Sequence, residues 1–134
     1  MIIDVANLWS DDQAVTVTAN STNVIDLGAD HARIQDLNEK GEIEVYAQVT
    51  TAFAGGTSIV VGVYEADVAA MTSETLVFET GVIATAALVA GYKFLLGKLP
   101  PITDRFLRLT FTVVGTHTAG NITSGLILDK QTNG

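Results

Sequence analysis

Arg105-Phe106-Leu107-Arg108-Leu109-Thr110-Phe111-Thr112-Val113 is the stretch on which the fold turns. In an extended strand successive side chains point to opposite faces. Leu107, Leu109, Phe111 and Val113 therefore share an apolar face, while Phe106, Arg108, Thr110 and Thr112 share a mixed one. One dry face and one mixed face is the pattern of a half-buried antiparallel strand. A second run, Asn121 to Asp129, follows across a connection flanked by Gly115 and Gly120.

The same period of two extends upstream. Glu42 to Thr50 sets Ile43, Val45, Ala47 and Val49 against Glu42, Glu44, Tyr46 and Gln48. Gly55-Gly56 accepts positive φ and predicts a hairpin tip, with Ser58 to Glu65 as the partner strand and Ile59, Val61 and Val63 inward. Ala14 to Ala19 alternates Val15 and Val17 with Thr16 and Thr18, which predicts another half-buried strand. Asn20 to Asn23 is turn chemistry, and Val24 to Leu27 makes a short strand ending at Gly28. The polar stretch Ala29 to Gly41 reads as a long surface loop. Leu76 to Thr80 and Val82 to Ala84 read as one strand interrupted at Gly81, and Tyr92 to Leu96 as a further strand. Pro100-Pro101 lacks amide donors and fits a loop or sheet edge. About eight strands with almost no helix predict an all-β sandwich or barrel. The expected division is an extended N-terminal arm over 1–13, packed along the edge of its own domain or reaching a neighbouring subunit, the β domain over 14–129 and a polar tail over 130–134.

With 134 residues the chain has the size of one domain and can bury a real core. Its net charge of −8 argues against a nucleic-acid partner, which needs clustered Lys and Arg. Its seven basic residues are scattered. A hydrophobic content of 48% is high for a lone monomer, so part of that surface is expected to be covered by another chain. Cysteine is absent, which removes disulfides and thiolate metal sites. Met1 to Asp4 has no basic segment leading into a long apolar core, so no secretory signal is expected. Nor does any apolar run approach the roughly 18 residues that span a bilayer.

The usual catalytic patterns are poorly supplied. His31 and His117 both fall in expected loops, outside any H-x-H or H-E-x-x-H context, and read as solvated. Asp11-Asp12 lacks the closely spaced oxygen ligands of a calcium loop and reads as solvated or capping. Gly91 to Leu99 imitates a P-loop, but five residues separate its glycines and Leu99 stands where Ser or Thr is required. No cofactor and no metal are expected. Arg105 and Arg108 are the informative charges. They serve either cross-strand pairing, with Glu42 or Glu44 as partners, or a contact surface for another protein.

Five segments in order carry a resemblance: Ser10-Asp11-Asp12-Gln13-Ala14-Val15-Thr16, Ser21 to Gly28, Leu88-Val89-Ala90-Gly91-Tyr92, Arg105 to Leu109, and Thr118 to Leu126. Together they resemble the jelly-roll capsid cement (decoration) proteins of tailed bacteriophages. The resemblance covers about Leu8 to Leu128 and departs most over Ala29 to Gly41. It implies an antiparallel jelly-roll β-sandwich on the outer surface of the phage head, assembled in the host cytoplasm. There the chain would bind the major capsid protein, bridge its subunits and self-associate, as a dimer before a trimer, with no catalysis, nucleic acid or membrane involved. Exposure and composition place the contacts at the arm (Ile2, Ile3, Leu8, Trp9), at the turn near Phe53, and at Arg105 and Arg108. The competing readings are a carbohydrate-binding sandwich or phage receptor-binding domain, which needs two or three of Trp9, Tyr46, Tyr64 and Tyr92 on one exposed face, and an enzyme on a jelly roll, which needs converging His and Glu ligands.

Overall fold

The structure is a computed structural model and describes residues 8–26, 43–94, 96–97 and 104–128. Ile2 and Ile3, the loop expected over Ala29 to Gly41, Pro100-Pro101 and the polar tail lie outside the described residues.

The fold is built on one long two-stranded ribbon, bent once. Strand β4 (Ile43–Gly55) pairs antiparallel with β9 (His117–Leu128), and β5 (Ser58–Ala66) pairs antiparallel with β8 (Phe106–Val114). The ladder continues around the bend, from Gly55 opposite His117 to Ser58 opposite Val114. Gly55, Gly56 and Gly115 sit there at φ +69°, +63° and +82°, backbone that a side chain would strain. Bending the ribbon lays its two halves face to face and makes two sheets.

Shorter strands widen both sheets. β1 (Leu8–Ala14) joins β9 to complete the order β1-β9-β4. On the free side of β4, residues 91–94 and 96–97 make an irregular edge, with the Val49 amide bonded to the Tyr92 carbonyl, Phe94 to Ala47, and Val45 to Gly97. In the second sheet, β2 (Ala19–Asn20) and β3 (Ile25–Asp26) both pair with β8. β6 (Thr75–Glu79) and β7 (Ile83–Ala84) both pair with β5. Taking β2 with β3 and β6 with β7 as interrupted strands, each sheet has four rails. The expected antiparallel sandwich of about eight strands is the fold observed, with the jelly-roll order. Gly81 lies in the break between β6 and β7, as its sequence position predicts.

Alternation on the long strands is realised as read. Leu107, Leu109 and Phe111 are fully buried and meet Val63, Val61 and Ile59 of β5 and Val45, Ala47 and Val49 of β4 in one core.

Three expectations are corrected. Gly55-Gly56 is no hairpin tip, because β4 and β5 belong to different sheets and each finds its partner elsewhere. The half-buried strand expected over Ala14 to Ala19 is absent: β1 ends at Ala14, the chain bends over 16–18, and Val17 is 52% exposed. The domain boundary expected at residue 14 moves: from Leu8 onward the arm packs along its own domain's edge, as one of its two readings had it, and does so as the edge strand of the first sheet. Its alternation is hidden by two register shifts and by Asp12 at φ +51°, so Trp9 and Ser10 are buried in succession.

Candidate functional site

Because β4, β5, β8 and β9 each put one face into the core, each sheet keeps an outward face, and the cross-strand registers decide what appears there. On the second sheet the outward rows place Asp26, Phe106 and Ala66 abreast, then Arg108, Tyr64 and Leu76, then Asn20, Thr110, Gly62 and Glu79, then Thr112 beside Val60. Phe106, Tyr64 and Val60 are half-buried and Leu76 is exposed. Gly62 lacks the side chain that would lift its neighbours: a Cβ there would stand 3.1 Å from the Tyr64 ring and 3.4 Å from Leu76 Cδ1. Tyr64 and Leu76 therefore lie flat over the strand, giving an apolar surface level with the sheet.

Two arginines border that surface. Arg105 grips Asp26 with two nitrogens, Nε at 2.7 Å and Nη2 at 2.9 Å, and its guanidinium lies 5.1 Å from the centre of the Phe106 ring. The hydrogen bond to Asp26 raises the Arg105 pKa further, so its charge is permanent. Arg108 pairs with Glu74, and their side chains are only 15% and 28% exposed. The loop that delivers Glu74 carries Met71 and Ser73 both at φ +57°, so this pairing is made at the expense of two left-handed non-glycine residues. Arg108 Nε is buried without a hydrogen-bond partner. Half-buried arginine and aromatic groups around an exposed aliphatic are the composition of a protein-contact hot spot.

The first sheet faces outward differently. Asp12 accepts from Thr50 Oγ1 and from Asn121 Nδ2, and its own amide donates to Thr123 Oγ1. Tyr46 donates to Gln48, whose amide reaches the Gly91 carbonyl. Burial pushes the Tyr46 hydroxyl pKa up. These polar groups bond mainly to one another. Asp12, weighed as solvated or capping, is thus the acceptor that holds the β1 bulge to β4 and β9.

The residues expected at contacts separate into three groups. Trp9 and Phe53 are not surface anchors. Trp9 is fully buried and donates from Nε1 to the Leu107 carbonyl at 3.0 Å, closing one side of the sandwich. Phe53 is 7% exposed and packs under Gly120, where a Cβ would stand 2.4 Å from its ring. Leu8 is half-buried at the start of β1 opposite Gly125. Arg105 and Arg108 do stand together on an outward face, although the partners are Asp26 and Glu74, not Glu44. Glu42 is outside the described residues. Tyr64, weighed only for a sugar platform, and Leu76 were not expected beside the arginines. Only the register of β5 against β8 and β6 brings them to the arginines, although Phe106 on the mixed face of the decisive stretch was a visible signal.

His117 is corrected as well: it opens β9 and is 1% exposed rather than solvated. No group of three or more His, Cys, Asp or Glu among the described residues is arranged to hold a metal ion. The aromatic residues do not form a shared sugar platform. Trp9 is in the core, Tyr46 and Tyr64 stand on opposite sheets, and Tyr92 lines a shallow groove of about 200 Å³ with Thr80, Gly81, Val82 and Ile83.

The family model Bbp16 matches residues 9–126, from Trp9 on β1 to Leu126 on β9. No curated protein matches the chain.

Proposed function

The chain belongs to the Bbp16 family, which is phage-related, and from that premise we propose that it is a structural virion protein: a cement or decoration protein that binds the outer surface of the phage head. In this reading it bridges major capsid subunits and stabilises the expanded shell, self-associates as a dimer, and carries out no reaction. The observation that supports the reading is the outward face of the second sheet. Tyr64, Phe106 and Leu76 supply apolar area, Arg108 and Arg105 supply directed charge, and Glu74 and Asp26 hold both arginines in place before any partner arrives. Preorganised side chains lose less freedom on binding. Weak single contacts repeated over a symmetric shell then sum to tight attachment. The acidic remainder of the surface keeps the free protein soluble and away from nucleic acid.

Sedimentation of the protein with expanded shells that lack it tests this reading. Saturating uptake at a fixed ratio to the major capsid protein is the expected outcome. A protein that stays in the supernatant at every shell concentration would refute it.

A further inference from the structure

At the bent end of the ribbon one residue, His117, ties together several of the segments that turn there. The two glycine turns lie on each other: a Cβ on Gly115 would stand 3.1 Å from the Gly56 Cα, and one on Gly55 would stand 3.1 Å from the Thr118 amide. Beneath them the His117 ring is wedged so close to Gly56 that a Cβ there would be 2.6 Å from Cδ2. The ring meets Phe53 of β4 edge-on at 4.9 Å between centroids. Its Nε2 is 3.1 Å from Thr85 Oγ1, in the 3-10 turn Thr85–Ala87. The His117 amide donates to the Thr16 carbonyl in the β1–β2 connection at 2.8 Å. Nδ1 is buried and has no hydrogen-bond partner.

We infer that His117 is an acid-released clasp: the neutral imidazole locks the two glycine turns and the 3-10 turn together, and protonation of the ring opens that corner. An imidazolium must donate from both nitrogens. The Thr85 hydroxyl can receive one of those bonds, and Nδ1 faces no acceptor. The residues packed on the ring, Phe53 of β4, Gly56 of the turn and Thr85 of the 3-10 turn, carry no titratable group, and Thr16 contributes only its carbonyl. Burial accordingly holds the ring pKa below its ordinary 6.5. With the folded pKa below the unfolded one, the closed corner is fully stable above about pH 6.5 and loses stability as pH falls through the folded pKa. Within that window opening increases by up to about tenfold per pH unit. The clasp stands on the corner geometry and is independent of the capsid reading.

Amide hydrogen exchange on the full chain between pH 7.5 and 5, corrected for intrinsic rates, tests it together with an NMR titration of the His117 ring, assigned apart from His31. The amides of Thr57, Thr85 and His117 should open increasingly in acid, by up to about tenfold per unit, while that of Phe94 on the β4 edge does not respond. His117→Gln keeps a neutral donor near Thr85 and should abolish the pH dependence at the corner. Should that variant fail to fold, the wild-type titration and exchange profile decide. A ring that titrates at or above 6.5, a corner that responds no more than Phe94, or a folded Gln variant that keeps the pH dependence would overturn the inference.

Discussion

On the outward face of the first sheet, Asp12, Thr50, Asn121 and Thr123 direct their hydrogen bonds at one another, and Tyr46 directs its own at Gln48. On the outward face of the second sheet, Tyr64, Phe106 and Leu76 lie open between two arginines whose acids come from a loop and a short edge strand. Both faces cover the same core with the same antiparallel ladders. The difference lies in where polar groups find partners. A face whose polar groups satisfy one another locally closes a strand edge, whereas a face with fixed charges around apolar area has the composition on which the proposed capsid contact rests.

The largest effect expected is one that removes both faces together. Gly120→Ala puts a side chain at φ +143° and 2.4 Å from Phe53. Backbone strain and overpacking together predict a loss of about 2–6 kcal/mol in chemical denaturation. Leu109→Ala empties a fully buried position under the second sheet and should cost roughly 2–5 kcal/mol by the same measurement. A cost near zero would mean that the face assignment of β8 is inverted.

Substitutions on the faces separate them. Tyr64→Ala should weaken uptake by expanded shells by about 2 kcal/mol, or some thirtyfold, while the melting transition shifts little. Asp12→Ala should do the opposite. It should lower stability by about 1–2 kcal/mol, through lost partners for Thr50 and Asn121 and a left-handed alanine, and leave shell uptake unchanged. If Asp12→Ala abolished uptake and Tyr64→Ala did not, the contact face would be the first sheet. The smallest effect is expected at the exposed Arg105–Asp26 pair. Arg105→Ala should leave the denaturation midpoint essentially in place and make its mark only on uptake, most clearly at low salt.

The sequence by itself determined the β class, the inward faces of β4, β5 and β8, the interruption at Gly81 and the two arginines on the mixed face of the second sheet. Each follows from a period of two, or from residue types whose local meaning does not depend on distant partners. Tertiary structure alone decided the rest. Glycines at 55, 56 and 115 announce turns, but whether a turn returns a strand to its neighbour or carries it to the opposite sheet depends on pairings 40 or more residues apart, β4 with β9 and β5 with β8. Leu8–Ala14 could not be read as a strand because its bulges break the alternation. His117 looked solvated because polarity near a glycine predicts exposure, and it is buried because the bend of the ribbon closes over it. Tyr64 reaches Arg108 through register, which a sequence carries only as the sum of every cross-strand contact that would be lost by slipping one residue.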